Sequence, residues 1–114
     1  FNEHGTLEDT HGNYPLVVRM VANDLDVPFI DMQFLTERLE RKLGPEKSES
    51  IHLHFEPGEN PYYQNGKHDD THLSYTGAKM IASLALQEIA RQDLALENYI
   101  KHQVLEAEIV TLKD

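Results

Sequence analysis

The chain has 114 residues and a formal net charge of −10, from 10 Lys and Arg against 20 Asp and Glu. The length suits one domain, and 39% hydrophobic residues are typical of a globular chain rather than a disordered one. The negative charge argues against nucleic acid and anionic membrane as partners. No apolar run approaches the roughly 20 residues of a membrane-spanning helix, and the absence of cysteine excludes disulfides and thiolate chemistry.

The first half of the chain predicts a helix, a strand and a second helix. Apolar residues recur at helical spacing over 14–25 and again over 34–43, which predicts the two helices. Between them, the nearly continuous apolar run 27–32 predicts a strand buried on both faces of a parallel sheet. Gly44-Pro45 predicts the end of the second helix.

The second half predicts a long loop followed by an amphipathic helix. Residues 51–55 alternate apolar side chains with His, a weak indication of a strand, and residues 56–70 are rich in Pro, Gly and Asn, which predicts a loop. Ser74 is a good cap for a helix over 75–91, whose wide apolar stripe suits packing on a sheet. Residues 93–114 fit a helix, a strand or a linker. The succession of helix, buried strand and amphipathic helix indicates an α/β architecture.

Asp69 and His72 form the first candidate site. They lie three residues apart at the predicted junction between loop and helix. A general base needs an imidazole whose tautomer is fixed by an acceptor at Nδ1, and a nearby aspartate supplies one. The same residues also fit a polar segment that caps the helix and exposes the imidazole. The residues alone leave both interpretations open.

A metal site is the second candidate, because the chain contains 7 histidines. His52 and His54 alternate along the weakly predicted strand and would point to one face. Further oxygen and nitrogen ligands follow at His68, Asp69, Asp70 and His72. The spacing matches no zinc motif, so we expect no metal or cofactor, and a His/Asp metallohydrolase stays an alternative.

Two neighbouring aromatic residues, Tyr62 and Tyr63, lie in the predicted loop. Such rings can stack on a sugar, or they can anchor the loop to the rest of the domain. None of the serines lies in a Gly-x-Ser-x-Gly or Gly-Asp-Ser sequence; they are Ser48, Ser50, Ser74 and Ser83. The chain therefore does not encode a complete Ser-His-Asp triad.

Residues 65–82 resemble the last conserved block of the GDSL/SGNH hydrolases, and most closely that of the rhamnogalacturonan acetylesterase group. They match the pattern Asn-Gly-Lys-x-Asp-x-Thr-His-x-x-x-x-Gly-Ala. The resemblance divides the chain into residues 1–92, the C-terminal portion of an SGNH hydrolase domain, and residues 93–114, an extension of unknown role. It implies a three-layer α/β/α sandwich with a short parallel sheet, of which this chain holds only a part.

The resemblance also implies roles for individual residues. The family's Asp-x-x-His provides the general base and the aspartate that orients it, which correspond to His72 and Asp69. Tyr62, Tyr63 and Lys67 are then candidates for substrate binding at the rim of the cleft. The family's Gly-Asp-Ser block, its oxyanion-hole glycine and its Gly-x-Asn-Asp block have no counterpart in this sequence. The nucleophile and the oxyanion hole are therefore expected outside this chain.

Together these features predict the Asp/His-bearing part of a serine esterase that deacetylates a pectic polysaccharide and is secreted or periplasmic. This chain alone is expected to be inactive, and its start at Phe1 favours a processed or truncated chain. One strand cannot form a stable sheet by itself, so we expect association with the N-terminal half of the same enzyme or another copy of the chain. The alternatives are a non-catalytic carbohydrate-binding or scaffolding module and the metallohydrolase.

Overall fold

The computed structural model describes residues 1–101. The elements in chain order are α1 (Tyr14–Asp24), α2 (Met32–Ser48), a 3₁₀ turn (Glu49–Ile51), β1 (His52–Phe55), β2 (Lys67–Leu73), α3 (Tyr75–Arg91) and a second 3₁₀ turn (Ala95–Tyr99). The predicted helices over 14–25 and 75–91 are confirmed, and the fold is of mixed α/β class. The helices of this described part are all too short or too polar to cross a membrane. The helix, strand or linker predicted for the end of the chain lies, for residues 102–114, outside the described residues.

The core lies where α2, α3 and the first 3₁₀ turn meet. Leu39, Ile51 and Leu84 are buried in contact with one another. The partly buried side chains packed around them are Met32, Leu35, Leu43, Met80 and Ile81. The apolar stripe of α3 therefore packs against a helix and a turn, rather than against the sheet that its width predicted.

Helix α2 begins earlier than the sequence predicts and consists of two helical segments joined at a kink. Asp31 caps its start, because the Asp31 carboxylate accepts a hydrogen bond from the backbone N–H of Phe34 at 3.1 Å. Gly44 interrupts the helical geometry with a φ of 75°, and Pro45 follows, after which the helix resumes as far as Ser48. The Gly-Pro pair thus ends the first helical segment, as predicted, and a short second segment follows across the kink.

The predicted strand over 27–32 is wrong for the described chain. The backbone N–H of Val27 donates to the carbonyl oxygen of Ala22 at 3.1 Å, and Met32 already begins α2. A buried parallel strand exists only when hydrogen-bonded strands lie beside it. Within residues 1–101, the strands are β1 and β2, and they pair with each other. The apolar run consequently connects two helices.

β1 and β2 form an antiparallel ladder in which His54 faces His68 and Phe55 faces Lys67. The weakly predicted strand over 51–55 is therefore confirmed from His52 onward. The prediction of a loop as far as Asp70 is wrong, because β2 begins at Lys67. The polar sequence of β2 lacks the apolar alternation by which strands are recognised, and backbone pairing with β1 holds it in place.

The start of α3 is fixed against the first 3₁₀ turn by Ser74 and Gly77. Ser74 Oγ accepts from the backbone N–H of Gly77 at 3.0 Å and donates to the carbonyl oxygen of Ser50 at 2.8 Å. The backbone N–H of Ser74 donates to the carbonyl oxygen of Ile51 at 3.0 Å. The predicted helix cap is confirmed, and it also positions the end of β2, which immediately precedes it.

Helix α1 is attached through a charged contact and leaves most of its apolar side chains exposed. Arg19 Nε donates to Asp31 Oδ2 at 2.6 Å, and Arg19 Nη2 donates to Asp31 Oδ1 at 3.0 Å. This hydrogen bonding holds the pKa of Asp31 below its ordinary value, although partial burial opposes the effect. The exposed apolar side chains of α1 and the residues after it are Leu16, Val17, Val18, Met20, Val21, Leu25 and Val27.

Candidate active site

An irregularity in the hairpin brings Asp69 and His72 together. Leu53 pairs with Asp69, and His52, the preceding residue of β1, pairs with Leu73. Three residues of β2 therefore have no partner on β1, and the chain bulges out between Asp69 and Leu73. Such bulges re-aim side chains at sheet edges. The carboxylate and the imidazole, separated by three positions, consequently face each other.

Asp69 is the most heavily hydrogen-bonded side chain of the site. Its Oδ1 accepts from the backbone N–H groups of Thr71 and His72, each at 2.9 Å. These two donors, that of His72 foremost, hold the pKa of Asp69 far below its ordinary value. Partial burial opposes the lowering of the pKa, whereas the side chains of His72 and Lys67 add to it. Asp69 is therefore a carboxylate at any pH near neutrality.

His72 presents its ring to solvent with one nitrogen directed at Asp69. Its Nδ1 lies 3.0 Å from Asp69 Oδ2 and 3.2 Å from Oδ1, while the side chain is 73% exposed. An ionised carboxylate accepts a hydrogen bond only from a protonated nitrogen, so it favours the tautomer that carries its proton on Nδ1. The other nitrogen, Nε2, then has a free electron pair. This arrangement is that of a general base with its orienting aspartate.

The other three predicted site residues lie in three different environments. Lys67 Nζ lies 3.2 Å from Asp69 Oδ2, within the candidate site. Tyr63 stacks on Phe55, with ring centroids 5.7 Å apart and planes inclined by 13°, a contact that favours its anchoring the loop. Tyr62 is 90% exposed. Whether any of the three touches a substrate stays a prediction.

Serine hydroxyl groups of the chain are engaged away from His72. Ser48 donates to the carbonyl oxygen of Pro45, Ser50 to that of Lys47, and Ser74 to that of Ser50. Ser83 accepts from the side-chain amide of Gln87 inside α3. Each of the four serine hydroxyl groups therefore has a role in the local structure of a turn or helix.

A second group of titratable side chains surrounds a separate cavity of about 570 Å³. His54 Nε2 lies 2.7 Å from Asp70 Oδ1, and the His54 ring meets that of His68 edge to face. Asp69 and His72 do not line this cavity, although His54 and Asp70 do. Among the described residues 1–101, no group of three or more His, Asp or Glu side chains is arranged to hold a metal ion. The predicted candidate ligands are therefore not assembled into a metal site.

Acid is expected to destabilise the folded chain. The pKa values of Asp31, Asp69 and Glu88 are lowered, chiefly by Arg19, by backbone N–H groups and by Arg91 respectively. A carboxyl group whose pKa is lower in the folded state stabilises the fold above its unfolded pKa, and this contribution is lost as the pH falls. Urea unfolding followed by circular dichroism should give a constant free energy of unfolding near neutrality and a decline below about pH 4.

The variant Asp31→Asn should make this decline shallower, because it removes one of the three linked groups. Asp24→Asn is the matched control, since Asp24 is an exposed carboxyl group at the end of α1. A decline that stays the same in Asp31→Asn would show that the pair of Arg19 and Asp31 does not contribute.

Hydrolases that activate a nucleophile with an imidazole base use a pair of this kind. Comparison with known proteins provides a separate line of evidence. The chain is 38% identical over 100 residues to the rhamnogalacturonan acetylesterase RhgT of Bacillus subtilis (strain 168). The alignment covers 88% of this chain and 43% of that protein, so the chain spans less than half the length of this relative. No protein-family profile and no solved structure matches the sequence.

The similarity confirms the resemblance carried by residues 65–82. The chain is similar to part of a rhamnogalacturonan acetylesterase, and this similarity supports the SGNH/GDSL resemblance. That relative is an acetylesterase, a hydrolase that acts on an ester bond. The bulge that joins Asp69 to His72 was not predicted from the sequence, although their spacing was the signal that identified the pair.

Proposed function

We propose that this chain is the base-bearing, C-terminal part of a serine esterase that removes acetyl groups from a pectic polysaccharide. The observation that carries the proposal is the pairing of His72 Nδ1 with Asp69 at 3.0 Å in a segment related to a rhamnogalacturonan acetylesterase. The exposed ring supports it, because a base that serves a nucleophile from outside the chain must be accessible. A secreted or periplasmic location belongs to the same proposal, since the substrate is a polymer.

In the proposed mechanism, His72 transfers protons through Nε2. It takes the proton of a serine hydroxyl as the serine oxygen attacks the acetyl carbonyl, and it then gives that proton to the departing sugar hydroxyl. A water molecule next attacks the acetyl-serine, and His72 takes the proton of the water. Acetate leaves as the proton returns to the serine. Asp69 stabilises the imidazolium at each stage, and the oxyanion donors come from outside this chain.

The nucleophile is proposed to lie in the N-terminal half of the same enzyme, and this chain is proposed to associate with that half or with another copy of itself. The apolar side chains of α1 support such an association, because Leu16, Met20 and Leu25 are each at least half exposed. Further strands from the associated half would cover these side chains and supply the sheet that the described residues lack. The complete α/β/α sandwich is thus part of the proposal.

Labelling with a serine-reactive fluorophosphonate tests this function. After treatment of the purified protein, intact mass spectrometry should find a second chain that carries the adduct beside the 13.1 kDa chain. The His72→Asn variant should lose this labelling, because the serine is no longer activated, whereas His68→Asn is the matched control on the same strand.

A single unlabelled 13.1 kDa species is expected where this chain is alone, so the contradicting outcome is the absence of any adduct on the full-length protein. It would favour the alternative of a non-catalytic carbohydrate-binding module, for which the 90% exposure of Tyr62 is the supporting observation. Binding of acetylated pectic fragments that is lost in Tyr62→Ala would then identify that module.

A further inference from the structure

Lys67 and His72 contact the same carboxylate oxygen of Asp69. Lys67 Nζ lies 3.2 Å from Asp69 Oδ2, and His72 Nδ1 lies 3.0 Å from the same atom. Lys67 and Asp69 are two positions apart in β2, so their side chains lie on the same face of the strand. The Asp69 side chain is only 13% exposed. The ammonium and the imidazole therefore share a carboxylate oxygen to which water has little access.

Asp69 does not need Lys67 to keep its orientation. The backbone N–H groups of Thr71 and His72 both donate to Oδ1 at 2.9 Å. Because the carboxylate is rigid and planar, fixing Oδ1 with two donors also fixes Oδ2. What Lys67 adds is consequently a positive charge at Oδ2, and not the placement of the carboxylate.

We propose that Lys67 is a positioning residue that acts on His72 through Asp69, by occupying part of the hydrogen-bonding capacity of Oδ2. This role differs from the substrate contact that the sequence predicts for Lys67. The consequence of this role for catalysis rests on the proposed function, whereas the contact between Lys67 and Asp69 is present in the described residues.

The expected effect follows from the charge of the ammonium group. A cation on Oδ2 withdraws electron density from the carboxylate and weakens it as an acceptor for His72 Nδ1–H. Lys67 thereby limits how strongly Asp69 holds the imidazole in the Nδ1–H tautomer. In the proposed mechanism, this moderation helps His72 to return each proton that it takes.

The ring nitrogens of His72 report this effect directly. In the ¹⁵N-labelled chain, long-range ¹H–¹⁵N spectra at about pH 8.5, where histidine is neutral, separate the two tautomers by their nitrogen shifts. In Lys67→Met, we expect both resonances of His72 to move towards the Nδ1–H form. Lys67→Arg keeps the charge and should restore the shifts, and a His72→Asn spectrum assigns the signals.

Lys47→Met is the matched control, because it removes the same charge from exposed Lys47 on α2. Lys67→Gln removes the charge but keeps a polar side chain, so it should move the His72 resonances in the same direction as Lys67→Met.

Unchanged His72 shifts in Lys67→Met, or an equal shift in Lys47→Met, would overturn the proposal. The result is independent of the fluorophosphonate experiment, because it is measured on this chain without a nucleophile. Loss of the proposed esterase function would leave the His72 shifts as predicted, and unchanged shifts would leave the esterase function intact.

Discussion

Replacing Asp69 with asparagine is expected to lower kcat of the proposed full-length esterase by about 10³- to 10⁴-fold, with little change in KM. The asparagine oxygen can still accept from the backbone N–H groups of Thr71 and His72, so the turn should persist. The amide nitrogen would occupy the place of Oδ2, where it donates a hydrogen bond instead of accepting one. The His72 ring would then favour its proton on Nε2 and lose its function as a base.

Acetate release from acetylated pectic polysaccharide measures this effect. Asp70→Asn is the matched control, because Asp70 is the next residue and its carboxylate binds His54 rather than His72. We expect Asp70→Asn to keep activity within a few-fold of the unsubstituted enzyme. Activity of Asp69→Asn within about tenfold of the unsubstituted enzyme would refute the role of this carboxylate.

The second large effect concerns Gly77, which lies against the backbone of Ile51. A Cβ atom at Gly77 would lie 1.9 Å from the carbonyl oxygen of Ile51 and 2.7 Å from its carbonyl carbon. The helix would have to move away from the first 3₁₀ turn, at the centre of the core. Gly77→Ala should therefore destabilise the chain by about 3 kcal/mol or more and lower Tm by more than about 12 °C.

The sign of the change makes this a strict test. Alanine inside a helix is ordinarily more stable than glycine by up to about 1 kcal/mol, so an open site would show a rise in Tm. Gly12→Ala is the control, since no atom lies within 4 Å of a Cβ built at Gly12, and its φ of 56° costs only about 1–2 kcal/mol for alanine. A Gly77→Ala chain at least as stable as the original would contradict the close approach to Ile51.

Local signals made α3 and the Asp69–His72 pair predictable from the sequence. The cap at Ser74, the apolar stripe of α3 and the spacing of Asp-x-x-His all act within a few residues of the chain. Structure that is fixed by residues close together in the chain depends little on distant partners. It can therefore be predicted from a single sequence.

The strands were less predictable because strand formation depends on neighbours. The run 27–32 has the composition of a buried parallel strand, but the described residues provide no strand beside it. β2 has the opposite character, since its polar residues contain no strand pattern and it forms by pairing with β1. Lys67 was assigned to substrate because its contact with Asp69 depends on β2 being extended.

The bulge between Asp69 and Leu73 places the proposed base and its acceptor within four consecutive residues, 69–72. The hydrogen bonds that fix the Asp69 carboxylate come from Thr71 and His72 themselves, so closing this ring costs little chain entropy. Because these hydrogen bonds lie within the unit, its internal geometry depends on few contacts with the rest of the domain. What the rest of an enzyme must supply is a nucleophile that approaches Nε2 and the donors that stabilise the oxyanion.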